Sequence, residues 1–399
     1  MTVDIERLSS ELETLAGFSD APPPAVTRVV YSETVRRAQA WVKGMCEDAG
    51  LAVREDTVHN LFARWTGREP ELPAVATGSH IDAIPHAGQY DGTVGVLGGL
   101  EAIRALQRAG VRPRRSIELV VFCAEEPTRF GIGCFGSRML AGLLDGPELR
   151  DRDGKSLRDW VGEYRSVRLP AGHYAAFVEL HIEQGPLLER AGIPLGIVTA
   201  IAAPATWHIE VEGEGGHAGA VLMADRRDAF CAAAEIVLAV ERAARGSGAV
   251  DTVGTVGVCD IFPGAVNSVP SKVQIEMDVR DIDGARRDRV LAEIDQACAE
   301  IAARRGVRLG KQVINADPPA ACDERVIGAL ERSAGGMRYQ KMVSRAYHDS
   351  LFMARIAPTG MLFIPCRGGV SHRPDEYAAP EAIASGVAVL SGALAELAK

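Results

Sequence analysis

Five side chains, His80, Asp91, Glu126, His181 and His372, combine imidazole nitrogens with carboxylate oxygens, a donor mix that suits zinc, manganese or cobalt. Three histidines and two acids are enough for two ions that share a bridging carboxylate. Taken singly, each is better explained as a structural or solvated side chain; their positions set them apart. PAVATGSH ends at His80, SIELVVFCA is followed at once by Glu125 and Glu126, AAFVEL is followed by His181, and GMLFIPC leads through a Gly-Gly loop to His372. Asp91 sits just before a helix, after the loop that begins at His80. Ligands carried on several strand ends match the crevice outside the carboxyl ends of strands, where open α/β sheets build their sites.

Two further acids extend this chemistry. Glu125 and Glu126 would repel each other if both were ionised without counter-charge, but two divalent cations leave positive charge in excess. One glutamate then serves as a ligand and the other as a general base toward the attacking water. The alternative is a solvated acidic pair at a helix start. Asp82 follows His80 by two residues, so an extended chain puts both side chains on one side. Its carboxylate is a candidate acceptor for the outer N–H of His80; a turn-forming aspartate ahead of Ile84 and Pro85 fits the same residues.

The elements that must position these groups are legible as an alternation. TVRRAQAWVKGMCEDAG and DGTVGVLGGLEAIRALQRAG read as helices, PAVATGSH and SIELVVFCA as strands, and AAFVELHI and GMLFIPC as further strands of the same sheet. The expectation is an α/β fold, a mostly parallel sheet with helices on its faces. Between the last two strands lies a β-α-β-β-α succession: WHIEVEGEGGHAG, DRRDAFCAAAEIVLAVERAARG, VDTVGTVGVCDIF, KVQIEMDVRDID and ARRDRVLAEIDQACAEIAARRG. It predicts a smaller inserted α+β domain over 204–316, with 1–203 and 317–399 forming the catalytic domain.

The chain has 399 residues, 47% of them hydrophobic, which allows a large core and favours two domains. A net charge of -9, from 44 basic and 53 acidic residues, argues against nucleic acid and points to a small-molecule partner. No stretch approaches the roughly 18 to 20 uninterrupted apolar residues of a membrane span, and MTVDIERLSSELETLAG lacks the form of a signal peptide. A cytoplasmic protein is expected, and the eight cysteines, without a C-x-x-C pair, read as reduced and mostly buried thiols.

Longer motifs carry a resemblance. GSHIDAIPHAGQYDGTVGV, EEPTRFGIGCFGSR, ELHIEQGPLLE and GGVSHRPDEY, spread over nearly the whole chain, resemble the amidase branch of the dinuclear M20-type metallohydrolases. That branch includes N-carbamoyl-L-amino-acid hydrolases, allantoate amidohydrolases and ureidoglycolate amidohydrolases. The resemblance implies two divalent ions, manganese first, with zinc or cobalt as alternatives. It implies that Asp91 bridges them, that His80 and His181 complete one, and that Glu126 and His372 complete the other. It makes Glu125 the base and Gln184 a substrate contact. GGHAGAVLMADRRDA looks like the branch's lid and dimerisation domain, which would make His217 an oxyanion donor reaching across a homodimer interface. PGAVNSVPSKVQIEMDVRD supplies Asn267 and Arg280, which the branch uses to hold a substrate carboxylate. From the residues alone, Arg280 fits a surface ion pair with Asp278 or Asp281 equally well.

Within the branch, HAGAVLM in place of a Thr-Thr-Pro type run, and SRAYHDSLFMAR with Tyr347 before His348, look most like the ureidoglycolate amidohydrolases of plants. The expected reaction is cleavage of the ureido group of (S)-ureidoglycolate, ending in glyoxylate, ammonia and carbon dioxide, with Tyr347 and His348 reading the central hydroxyl. Simple packing of Tyr347 is the alternative. An N-carbamoyl-L-amino-acid hydrolase, a β-ureidopropionase or an allantoate amidohydrolase would use the same metals and base. From another class, a catalytically inactive dimeric binding module would keep the lid-like domain without the chemistry.

Overall fold

The computed structural model describes residues 2–399, which divide into two compact units, 2–200 with 321–399 and 201–320. The larger unit is built on a mixed sheet. Its centre is four parallel strands in the order Thr359–Ile364, Tyr174–Ile182, Ala74–His80 and Ile117–Phe122. Antiparallel strands flank them, Leu195–Ile201 on one side, and Leu61–Trp65 followed by Ala52–Glu55 on the other. Every residue of Ala74–His80, Ile117–Phe122 and Thr359–Ile364 is buried, the condition of parallel strands covered on both faces, and the reason they read as continuous apolar runs.

Because the four strands are parallel, their carboxyl ends share one edge of the sheet. His80 pairs with Phe122 and His181 with Phe363 at that edge, so the four strands finish nearly level with one another. The helix Thr93–Arg108 starts there too and packs on the strands Ala74–His80 and Tyr174–Ile182. The helix Pro380–Leu397 is long and apolar enough by composition to cross a membrane. Here it lies against the helices Thr93–Arg108 and Glu324–Ala334, with Ile383, Val387, Leu390 and Leu394 buried, as a core helix.

The smaller unit is a four-stranded antiparallel sheet in the order Val253–Phe262, Lys272–Asp281, Ala203–Glu212 and Arg308–Ala316. The helices Ala229–Gly246 and Gly284–Arg305 cover one face and enclose a core that includes Trp207, Ile209, Val211, Ile236, Ile275, Met277 and Ile294. The alternation of buried Val273, Ile275, Met277 and Val279 with partly exposed neighbours is that of a half-covered strand. The edge strand Arg308–Ala316 corrects the β-α-β-β-α expectation, which ended at the second helix. Seven of its nine residues face solvent, in an unbroken run from Gly310 to Ile314, so no alternation marks it in the sequence.

Candidate metal centre

Asp91 is the hinge of the site. Its Oδ1 lies 3.5 Å from His80 Nε2 and 3.3 Å from His181 Nε2, while its Oδ2 lies 3.3 Å from His372 Nε2. Glu126 Oε1 is 3.3 Å from the same His372 nitrogen. The donors therefore fall into two sets, His80 with Asp91 and His181, and Asp91 with Glu126 and His372, each with ligand atoms within 4.8 Å of one another. The five ligands expected from the sequence are brought together, and the two sets share one carboxylate.

The hydrogen bonds of the rings show that a cation fits. His181 Nδ1 faces the carbonyl of Ile182 at 2.9 Å, and its Nε2 accepts the N–H of Gly92 at 3.1 Å, so the ring carries its proton on Nδ1. His80 Nδ1 faces the carbonyl of Asp82 at 3.1 Å, which selects the same tautomer. Nε2 of each ring is then an acceptor facing an Asp91 oxygen, partly met at His181 by the Gly92 N–H, and two acceptors at such distances repel unless a positive charge lies between them. Without a cation, protons take that place. Burial opposes the charged form of His80, but Glu125, Asp82 and Asp91 more than reverse it. His372 is raised to about 9, first by its bond to Asp91, against the effect of burial. Burial likewise opposes ionisation of Asp91, and bonds from His181, His372 and His80 hold it well below the usual carboxylate range.

Local backbone explains the convergence. Gly92 is left-handed at φ 66°, and a Cβ there would lie 2.4 Å from His80 Nε2, so glycine is required where the loop passes the ring. Ala124, Gln184 and His372 are also left-handed, at φ 54°, 56° and 59°. Such conformations cost of order 1–3 kcal/mol each and persist where surrounding structure over-determines them. His372 sits on the loop after Thr359–Ile364, and its side chain is 47% exposed, which makes it the open side of the centre.

The role expected of Asp82 needs correction. The acceptor for His80 Nδ1 is the backbone carbonyl of Asp82, and the carboxylate stands 3.6 Å away. That carboxylate instead accepts the backbone N–H groups of Glu125 at 3.2 Å and Glu126 at 3.1 Å. It thus ties the strand end carrying the two glutamates to the loop carrying His80. No helix begins at this acidic pair; the next one is Phe135–Leu140. Arg28, fully buried, braces the same loop by donating to the carbonyls of Leu15, Phe18 and Ile81. Burial lowers its guanidinium to about 10, with Asp82 opposing.

Glu125 is buried beside the ligands, with Oε2 3.8 Å from His80 Nε2. Burial raises its affinity for a proton well above the ordinary carboxyl value, and Glu126 adds to the effect. Glu126 is itself raised to about 7, by burial and then Asp91. Gln184 donates to Asp91 Oδ2 at 2.6 Å, while its Oε1 is buried without a hydrogen-bond partner. His348 packs edge-on against the His181 ring, centroids 4.6 Å apart, and Tyr347 receives a hydrogen bond from the Arg138 guanidinium.

Several contributors were not foreseen. Ser371 Oγ lies 2.6 Å from Asp91 Oδ2 and 2.9 Å from Glu376 Oε2, so its single proton bridges the two carboxylates. Glu376 Oε1 accepts the backbone N–H groups of Tyr90 at 2.8 Å and Asp91 at 3.0 Å. Glu179, buried two residues before His181, accepts from Ser79 and from the hydroxyl and N–H of Ser350; Asp349 accepts from Ser137. GGVSHRPDEY displays Ser371 and Glu376 around His372, but their partners at 90 and 91 are invisible in one dimension.

The remaining expected residues belong to the smaller unit. His217 is exposed on a two-residue strand, Gly216–His217, paired with Ser268–Val269, and its Nδ1 accepts the N–H of Gly219 at 3.1 Å. Asn267 is beside it, its carbonyl bonded to the N–H of Ala218 at 2.8 Å. Arg280 is elsewhere. It pairs with Pro204 and Val253 at the far end of the strand that starts at Lys272, and its Nε bonds Asp278 at 2.7 Å. Eight residues of strand separate it from Lys272, about 26 Å at 3.3 Å per residue. The structure thus gathers His217 with Asn267 and keeps Arg280 apart from both.

A parallel-stranded α/β sheet whose strand ends aim three histidines and two acids at one another defines a protein with a divalent-metal centre. The chain belongs to the peptidase family M20/M25/M40, whose model matches residues 76–396. It is 53% identical to a ureidoglycolate hydrolase of Oryza sativa subsp. japonica over 99% of this chain and 85% of that protein. It is 38% identical to an N-carbamoyl-L-amino acid amidohydrolase of Geobacillus stearothermophilus, over 99% of this chain and 98% of that one. Crystal structures of AtUAH in complex with glyoxylate and with (S)-hydroxyglycine superpose with a TM-score of 0.91 at 51% identity, covering 100% of this chain and 98% of theirs.

The support from Glu376 is testable. Glu376→Gln removes one charge from the carboxylate that holds the Tyr90 and Asp91 amides, and manganese affinity, measured by calorimetric titration, should fall about 10- to 100-fold with the melting temperature retained. Unchanged affinity would make Glu376 a bystander.

Proposed function

We propose that this protein is a metal-dependent amidohydrolase that removes the carbamoyl group of (S)-ureidoglycolate. The observation that carries the reaction class is the division of ligands about Asp91, with His80 and His181 on one oxygen, and His372 with Glu126 on the other. In this reading each set holds one divalent ion, manganese before zinc or cobalt. Bound there, the ions supply Lewis acidity, making water more acidic and polarising the carbamoyl oxygen.

The chain's own residues do the rest. Glu125, with its proton affinity raised by burial, takes the proton of the attacking water and delivers it to the leaving nitrogen. The bond between the carbamoyl carbon and that nitrogen breaks. Carbamic acid falls to carbon dioxide and ammonia, and the remaining hydroxyglycine loses a second ammonia to give glyoxylate. The buried Oε1 of Gln184 suits a ureido N–H. Tyr347 and His348 read the hydroxyl of the central carbon, Arg280 and Asn267 hold the carboxylate, and His217 donates to the oxygen that gains charge in the transition state.

The substrate assignment draws on the relatives. The rice protein is named for ureidoglycolate at 53% identity, against 38% for the N-carbamoyl-amino acid enzyme. The (S)-hydroxyglycine of the AtUAH complex is what ureidoglycolate becomes once its carbamoyl group is gone. The dimer draws on distance. A carboxylate is far smaller than the about 26 Å of strand between Arg280 and the Asn267 end, so both grip one substrate only if they come from different chains. Exposed Leu222, Met223 and Val266 beside His217, and the exposed edge strand Val253–Phe262, offer a surface for the second copy. Eight free thiols suit a reducing cytoplasm.

Two experiments test this. N-carbamoylglycine is ureidoglycolate without its hydroxyl. With manganese-loaded protein, ureidoglycolate should exceed it in kcat/KM by at least about 100-fold, since a site built for that hydroxyl leaves polar groups unmatched without it. Faster ammonia release from N-carbamoylglycine, other N-carbamoyl-amino acids, N-carbamoyl-β-alanine or allantoate would overturn the assignment. Separately, His217→Ala and Glu125→Gln chains, each inactive alone, should regain roughly a quarter of full activity when mixed, because half the dimers are hybrids with one complete site. No recovery in confirmed hybrids would place His217 in its own chain's site.

A further inference from the structure

Cys134 has no part in the reading above, yet its position is unusual on three counts. It is fully buried, it is a non-glycine residue in the left-handed region at φ 53° and ψ 39°, and its Sγ lies 3.3 Å from Glu125 Oε1. A left-handed residue with a Cβ is strained and calls for an explanation in what its side chain does. We propose that Cys134 is a positioning residue for Glu125: its thiol donates to Oε1 and so turns Oε2 toward the reacting water.

The backbone makes this contact rigid. The N–H of Cys134 bonds the carbonyl of Glu125 at 2.6 Å, that of Phe135 bonds Ala124 at 2.8 Å, and that of Gly136 bonds Cys123 at 2.8 Å. Three successive bonds thus lock residues 134–136 against 123–125, and thiol and carboxylate project from the same short ladder. A Cβ at Gly136 would lie 2.1 Å from Asn60 Oδ1 and 2.7 Å from the Cys123 carbonyl, so glycine is what allows so close an approach. The other carboxylate oxygen, Oε2, is the one that faces His80, 3.8 Å from its Nε2. The thiol thus holds the oxygen remote from the ligands and leaves the near one to act.

Burial pushes the thiol far up, and the neighbouring Glu125 adds to this, so Cys134 keeps its proton and acts as a donor. A thiol is a weak donor. It orients the carboxylate without the charge-assisted bond that a lysine or arginine would form. The general base must swing little between taking a proton from water and handing it to nitrogen, and a held Oε1 restricts that swing.

The inference rests on Glu125 being the base, and the test separates the two. Cys134→Ala should lower kcat for ureidoglycolate roughly 10- to 100-fold, with KM, manganese content and melting temperature close to wild type. Cys134→Ser, which restores a donor of similar size, should recover most of the loss. The contact is also readable without turnover, in metal-free protein, by infrared spectroscopy. The S–H stretching band that disappears in Cys134→Ala should lie at low frequency in the wild type and move up in Glu125→Leu. Wild-type kcat in Cys134→Ala, a band that Glu125→Leu does not move, or equal losses in the alanine and serine variants tracking their stability would each overturn the proposal. Retained activity in Glu125→Gln would instead remove the base assignment, while the band shift still reports whether thiol and carboxylate are bonded.

Discussion

A buried carboxylate surrounded by lone pairs is the constraint from which the rest of this structure follows. Asp91 presents one oxygen to His80 and His181 and the other to His372, with Glu126 and Glu125 close by. Carbonyl partners take the outer nitrogens of His80 and His181, which turns their inner nitrogens into acceptors. Such a crowd of acceptors is stable only around positive charge. The acidic neighbours raise the proton affinity of His80 and His372, and in the proposed enzyme two cations supply the positive charge instead.

Holding these groups in place falls mainly to backbone amides. Asp82 joins the strand end of Ala74–His80 to the amides of Glu125 and Glu126, and Glu376 joins the loop of His372 to the amides of Tyr90 and Asp91. Each carboxylate thereby stitches two strand ends that are remote in sequence. The parallel sheet brings the ends level, and these stitches, with Arg28 braced beneath the loop, fix their separation. The same economy of short bonds sets Cys134 against Glu125.

How much of this the chain discloses depends on whether a residue's neighbours are local. The parallel strands are plain because burial on both faces turns them into unbroken apolar runs, and the ligands stand out because they interrupt those runs at their ends. The strand Arg308–Ala316 is hidden because an exposed edge has no buried face to impose alternation. Asp82 is legible as a candidate supporting acid, but the amides it accepts lie on another strand and are not legible with it. Ser371 and Glu376 sat in plain view within GGVSHRPDEY, but contacts far apart in the chain give them their purpose. Arg280 is a different case: it reads equally as an anchor or an ion pair, and it is bonded to Asp278 here.

The central claim concerns the two oxygens of Asp91 and what lies on each. Crystals grown with manganese, measured on either side of the manganese absorption edge, locate those ions directly. The account predicts two anomalous peaks flanking Asp91, one between His80 and His181, the other between Glu126 and His372. A single peak elsewhere, or none at these positions in protein that is active with manganese, would contradict it.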